Sequence, residues 1–205
     1  MCFHSKQTKT AMQLENRFKA KFSNPDEYSP AIYNGFQHPK TPVITNADDH
    51  SIQMYNWGLI PFWAKDNSIR KNTLNARCET LSEKASFRPS LNNRCLVLSD
   101  GFYEWEWLDP KGKQKQKYLI TRPNEEAFAF AGLYNDWIDK TTGEIIKTYT
   151  IITTEANELM AKIHNTKKRM PFILSPEIEE AWLQGEDMQF QDLELVASMI
   201  TFTSS

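Results

Sequence analysis

The sequence predicts an α+β fold: a single domain, residues 1–205, built on a mixed or antiparallel curled sheet that is barrel-like, with a few short peripheral helices. Three observations predict it. Apolar runs of strand type dominate the 205 residues. Helical segments are few and short. Strands and helices do not alternate in the regular order that a parallel βαβ sheet requires.

The elements follow in order. Leu14, Phe18 and Phe22 have helical spacing, which predicts a first helix. Runs 52–59, 95–105, 117–121, 127–134 and 145–153 read as strands, bounded by Gly, Pro, Asn and Asp. Asp109-Pro110-Lys111-Gly112 reads as a hairpin tip. Thr80-x-x-Glu83 has the form of a capping box opening a short helix. Residues 155–163 read as a helix with Thr154 as its cap. Ser175-Pro176-Glu177 opens another, which Gly185 ends.

Composition narrows the function. The formal net charge is −2, so no global excess of cations announces a nucleic-acid binder. Charge is nevertheless uneven: Arg70, Lys71, Arg77, Lys84, Arg88 and Arg94 lie in one stretch, and Lys162, Lys167, Lys168 and Arg169 in another. Such patches serve either as solvated faces or as a local groove for phosphates. Lys111, Lys113, Lys115 and Lys117 alternate around Gly112 and read as the solvated flank of the hairpin tip. Three cysteines, Cys2, Cys78 and Cys95, without CxxC spacing, argue for a reducing compartment. They argue against a disulfide framework and a structural zinc, and the four histidines add no metal-ligand spacing. The first ten residues lack the apolar region of a signal peptide, and no run approaches a membrane span. A cytoplasmic protein is expected for a bacterial source, with neither metal nor cofactor.

Cys2 directly follows the initiator methionine. Removal of Met1 would give it a free α-amine beside its thiol. A 1,2-aminothiol attacks an aldehyde through nitrogen and closes through sulfur to a five-membered thiazolidine. An α-amine has a reference pKa of about 7.7–8.0, so a useful fraction is neutral near pH 7. The alternative is a small, partly buried thiol with no chemical role.

Four further segments stand apart from routine core. WGLIPFW, residues 57–63, turns at Pro61 among large aromatics. It reads as a hydrophobic corner or as a base-stacking surface formed with Trp57 and Trp63. In NARCET, residues 75–80, Asn75 and Arg77 alternate and would face one side of an extended segment, with Cys78 turned toward the core. Arg suits phosphate and Asn can hold an amine or a carbonyl. In DGFYEWEW, residues 100–107, Glu104 lies among aromatics near a buried run, where desolvation would raise its pKa into a range useful for proton transfer. Glu106 reads as a surface carboxylate. In IHNTKKRMPFIL, residues 163–174, His164 ends a helix before a basic turn and is either a cap or a general acid–base.

Taken in order, the initial Met-Cys, WGLIPFW, NARCET, GFYEW and a late His followed by Arg-Met-Pro resemble the SOS response-associated peptidase (SRAP) family, whose members process abasic sites in single-stranded DNA. The resemblance implies that Met1 is removed autoproteolytically. Cys2 would then form a thiazolidine cross-link with the ring-opened abasic deoxyribose, shielding the lesion. It implies that Asn75 positions the cysteine and sugar, that Glu104 assists ring opening, and that His164 belongs to the same site. Arg77 and Arg169 would contact phosphate, and Trp57, Trp63 and Trp105 would stack on bases or wedge at a strand junction. The implied partner is single-stranded DNA with abasic sites, with single/double-strand junctions as a further setting. The implied state is a monomer that engages no membrane.

The sequence departs from the family pattern in four places. Phe3 and His4 stand where the family usually has Gly and Arg. Tyr33-Asn34-Gly35-Phe36-Gln37-His38-Pro39 replaces a segment around Tyr-Asn-x-Ala-Pro. Four residues separate His164 from Arg169, where one is common. The sequence stops at residues 200–205, where the family continues into a tail, which reads as a truncated or divergent end. Two other functions remain open at this level: an N-terminal-nucleophile peptidase or amidohydrolase using Cys2, and a non-catalytic single-stranded DNA-binding module.

Overall fold

Alternation of side chains along the strand-type runs buries both faces of the central sheet. Cys95 and Val97 join one apolar cluster, whereas Leu96 and Leu98 join another. Phe128 and Phe130 likewise separate from Ala129 and Ala131. A strand apolar on both faces must be covered on both sides, and this chain does so by curling the sheet and adding a second one. The computed structural model describes residues 2–186 and 192–200. Met1, whose removal is expected from the sequence, and residues 201–205 of the expected shortened end lie outside the described residues.

Five strands close into a barrel: β4 (Lys40–Thr45), β5 (Asp48–Trp57), β7 (Arg94–Ser99), β10 (Phe128–Ile138) and β11 (Ile145–Glu155). Four neighbouring pairs are antiparallel. The ring closes where β11 meets β5 in parallel, with Thr148 opposite Asn56 and Tyr149 opposite Trp57. Short strands extend this sheet: β2 (Lys21–Phe22) on β5, β6 (Asn75–Arg77) and β12 (Arg169–Pro171) on β11, and β13 (Ile173–Leu174) on β10. The second sheet is antiparallel. It contains β1 (His4–Gln7), β3 (Ala31–Asn34), β8 (Gly101–Trp107), β9 (Lys115–Thr121) and β14 (Val196–Ile200), in the order β14-β9-β8-β1-β3. Helices α1 (Ala11–Phe18), α2 (Glu158–Ile163) and α3 (Pro176–Leu183) are short and peripheral. The α+β, barrel-like architecture expected from the sequence is the one observed.

Four local expectations are corrected. Run 95–105 is two strands, broken at Asp100. That residue is fully buried and accepts hydrogen bonds from Thr8 N–H (3.1 Å), Thr8 Oγ1 (2.6 Å) and Lys6 Nζ (3.2 Å). The break lets the chain leave the barrel for the second sheet and fixes β1 beside β8. The first helix ends at Phe18, where Lys19 adopts a left-handed φ of 55°, so Phe22 lies in β2. Thr80-x-x-Glu83 forms turns after a single 3₁₀ turn, Cys78–Thr80, in place of a helix. Thr154 and Glu155 continue β11, and α2 starts later under Asn157, whose Oδ1 accepts from Met160 N–H at 2.9 Å. β pairing to β12 outcompetes the local helix signal there.

Candidate active site

The second sheet brings Cys2 and Glu104 together. β1 pairs with β8, placing His4 opposite Tyr103. Cys2, just before β1, is fully buried, and its Sγ lies 3.7 Å from the carbonyl oxygen of His4. Asn75, at the start of β6, donates from Nδ2 to the carbonyl oxygen of Cys2 at 2.9 Å. The buried Asn75 Oδ1 has no hydrogen-bond partner among the described residues. Ala76 and Cys78, of the other parity, pack against the second apolar cluster, as the alternation in NARCET predicts.

Burial sets the electrostatics. Glu104 is only 6% exposed, and desolvation pushes its carboxyl above the usual carboxylate range. Burial also pushes the Cys2 thiol far up, with the Glu104 carboxylate adding to the effect. Cys2 is therefore a neutral thiol rather than a standing thiolate. His164, 7% exposed, is driven down to about 4, chiefly by desolvation, and is neutral at pH 7.

His164 caps α2, its N–H donating to Met160 O at 2.7 Å. Residues 164–168 then fold into a turn, closed by Lys168 N–H donating to His164 O at 2.9 Å, with Lys168 at a left-handed φ of 48°. This turn accommodates the long His164–Arg169 spacing. It returns the chain so that Arg169 O and N lie 2.9 and 3.1 Å from His164 Nδ1. The imidazole is thus held by backbone at one nitrogen.

Two adjoining hollows open beside these groups. One, of about 240 Å³, is lined by Phe3, Glu104, Trp105, Trp107, Lys115, His164, Thr166 and Lys167. The other, of about 260 Å³, is lined by Phe3, His4, Phe36, Glu104, Trp105 and Lys115. The β8–β9 hairpin forms their shared wall. Its register sets Trp105 opposite Lys117 and Trp107 opposite Lys115. Lys117 Nζ lies 4.2 Å from the Tyr103 ring centre and 5.5 Å from that of Trp105, and Lys115 Nζ lies 5.1 Å from that of Trp107. Gly112 lets the hairpin tip turn at φ 63°, and a Cβ there would come within 2.6 Å of the Trp107 ring.

The sequence-nominated residues divide. Cys2, Asn75, Glu104, His164 and Trp105 assemble around one centre. Arg77 is exposed on β6, two residues along from Asn75. Arg169 is only 7% exposed, and its guanidinium forms a bidentate pair with Glu79 (2.6 and 2.9 Å) plus a bond to Thr153 O (2.7 Å). These donors serve the protein rather than an open surface. Trp57 corrects the stacking expectation: it is fully buried, donates to Leu74 O at 2.8 Å and stacks on Tyr149, because the barrel closes through it. Trp63 is 44% exposed, donates to Ala85 O and lines neither hollow.

Sequence reasoning missed Phe36, Trp107 and Lys115 as lining groups, and set Lys115 aside as solvated together with Lys117, which lies over the Tyr103 and Trp105 rings. The available signal was the matched alternation Trp-x-Trp and Lys-x-Lys on either side of a hairpin tip.

The family model for SOS response associated peptidase (SRAP) matches residues 1–203. The chain belongs to the SRAP family. Among its relatives, abasic site processing protein YoqW of Bacillus subtilis (strain 168) is 43% identical over 162 residues, covering 78% of this chain and 70% of that protein. Abasic site processing protein HMCES of Xenopus tropicalis is 30% identical over 199 residues, covering 82% of this chain and 57% of that protein. An X-ray structure of a Bacteroides thetaiotaomicron protein matches with a TM-score of 0.86 at 37% identity, over 98% of this chain and 92% of the other. A Bordetella bronchiseptica structure at 23% identity and TM-score 0.78 shares the fold. Within this SRAP chain the residues after Cys2 take specific places. His4 meets Trp105 edge-on at 4.9 Å, and Phe3 packs on Phe36 at 4.7 Å.

Proposed function

We propose that this SRAP protein processes abasic sites in single-stranded DNA by cross-linking Cys2, after loss of Met1, to the opened deoxyribose as a thiazolidine. The observation that carries the reading is the convergence of Cys2, Asn75, Glu104 and His164 beside a wall of tryptophans and lysines. The names of the relatives supply the abasic site as substrate.

The chemistry follows from the environments. An abasic deoxyribose is mostly a closed hemiacetal. Opening it needs a proton delivered to the ring oxygen and one taken from the anomeric hydroxyl, and a carboxyl with a raised pKa suits both. The α-amine of Cys2 adds to the C1′ aldehyde. The resulting carbinolamine loses water to give an imine. The Cys2 sulfur then bonds to the imine carbon, its proton passing to the ring nitrogen, so that aldehyde and aminothiol give thiazolidine and one water.

The raised thiol pKa is compatible with this order. The amine attacks first, and the thiol closes within the same molecule, where proximity replaces standing thiolate character. Neutral His164 can relay protons at the same centre. Asn75 fixes the Cys2 carbonyl and thereby the direction of the aminothiol. The interleaved Trp105, Trp107, Lys115 and Lys117 offer π-faces and cations of the kind single strands use.

The test is a denaturing gel of the processed protein with single-stranded DNA carrying one abasic aldehyde. A heat-stable shifted band that disappears in Cys2→Ala, while noncovalent DNA binding persists, is expected. Absence of the band with protein shown by intact mass to lack Met1 would end the cross-linking reading. Turnover of a small amide under the same conditions would favour an N-terminal-nucleophile hydrolase.

A further inference from the structure

The two hollows that meet at Glu104 differ in what else they offer. One adds His164; the other adds Phe36. Phe3 and Lys115 line both. The rings of Phe3 and Phe36 pack on each other, 4.7 Å apart at 35°, so Phe3 backs the ring of Phe36 beside the hollow. Phe36 is 56% exposed. Its position is nonetheless fixed. Its N–H donates to Asn34 Oδ1 at 3.1 Å, and His38 N–H closes the turn on Gly35 O at 2.9 Å. Gly35 N–H donates to Phe3 O at 2.8 Å, which ties this turn to the residue after Cys2. A Cβ on Gly35 would meet the Trp57 ring at 3.2 Å and Phe3 O at 3.3 Å, so the close approach depends on glycine.

We propose that Phe3 and Phe36 form a stacking platform for the nucleobase adjoining the abasic nucleotide, and that the protein therefore favours lesions flanked by a purine. This rests on the cross-linking reading, because it needs the lesion sugar in the hollow of Glu104 and His164. The physical reason lies in the lesion. A missing base leaves its neighbour with one unstacked face. With the sugar in the first hollow, the next nucleotide enters the second, where the exposed ring of Phe36, backed by Phe3, replaces the lost stacking partner. A purine covers more of that face than a pyrimidine. Lys115, lining both hollows, is placed for the phosphate that joins the two nucleotides.

The experiment separates stacking from chemistry. Oligonucleotides carry a tetrahydrofuran abasic analogue, which has no aldehyde. The neighbour on one side is adenine, thymine or a second tetrahydrofuran, and each side is tested in turn. Binding is read by fluorescence anisotropy at fixed salt. Adenine is expected to improve affinity over the second analogue by about tenfold, on one side only, with thymine intermediate. Phe36→Ala should remove most of that difference, Phe36→Trp should keep it, and Phe36→Leu, apolar but not flat, should not. Equal binding of all three neighbours, or an unchanged ranking in a folded Phe36→Ala, overturns the platform. Cross-linking rates on aldehyde-bearing versions should follow the same ranking. No covalent product on any of them, with the analogue ranking intact, defeats the cross-linking reading and still supports the platform.

Discussion

Asn75 holds the backbone carbonyl of Cys2 at 2.9 Å, across 73 residues of sequence. The bond joins a barrel extension, β6, to the segment that leads into β1 of the second sheet, so the direction of Cys2 depends on how the two sheets dock. Asn75→Ala removes it. About 1 kcal/mol of stability should be lost, as for a typical hydrogen bond. The cross-linking rate should fall by about 10- to 100-fold, because a small misplacement of a reacting group is costly. Unfolding curves and single-turnover gels check both; an unchanged rate would remove Asn75 from the positioning of Cys2.

Glu104→Gln keeps shape and polarity but cannot exchange a proton. The rate of cross-linking should drop by about 10²–10⁴-fold, the usual range for loss of a general acid–base group. DNA affinity should change by less than about twofold, since the wall of cations is untouched. Parallel loss of both properties would assign Glu104 a structural role.

His164 gives a pH prediction. Its folded pKa, about 4, lies below the ordinary 6.5, so between these values the unfolded chain binds more protons. The stability linked to neutral His164 is complete above pH 6.5 and is lost as pH falls toward 4. The raised Glu104 acts in the opposite sense: its contribution is complete below 4.5 and is lost as pH rises through its folded value. Urea unfolding at pH 7 and pH 5 should therefore show a smaller acid loss in His164→Asn than in the wild type. Identical losses would mean that His164 does not titrate in this window.

The two arginines that the sequence nominated for phosphate contact should separate experimentally. Arg169 is buried in its pair with Glu79, whose carboxyl the Arg169 hydrogen bonds hold below its usual range. Arg169→Met should cost about 2 kcal/mol, less than for a fully buried pair because Glu79 is partly exposed. It should leave the salt dependence of DNA binding unchanged. Exposed Arg77→Ala should barely alter melting and should reduce the salt slope by about one. A reversed pattern would make Arg169 the phosphate ligand.

The hairpin wall can be tested as a unit. Lys115→Ala combined with Lys117→Ala should weaken single-strand binding and lower the salt slope by about 1.4, at about 0.7 per cation for a single strand. Trp105→Ala should weaken it by a similar amount with little change in slope, since stacking releases no counterions. Anisotropy across a salt series distinguishes the two.

Legibility in the sequence tracked the range of the forces involved. Alternating runs placed the main strands, because period-two burial is local and strong. The capping-box signal at Thr80 failed, since no apolar face rewards a helix there. Thr154 failed as a cap because β12 pairs with that stretch across a turn. The candidate centre was legible through its motifs: Cys2, Asn75, Glu104 and His164 converge as nominated. Trp57 was misread, for an aromatic in a Gly-Pro corner looks the same whether it faces solvent or closes a barrel.

By itself, then, the sequence determined the alternating strands, the aminothiol that Cys2 would present, and the residue types that meet beside it. These are properties of single residues and their near neighbours. Tertiary structure alone decided that Trp57 is core, that the Arg169 donors go to Glu79 and Thr153, that Lys115 and Lys117 face tryptophans, and that Phe36 meets Phe3. Each of these depends on which distant strand lies alongside and in what register. That is set by docking a curled barrel against a second sheet, and no local pattern encodes it.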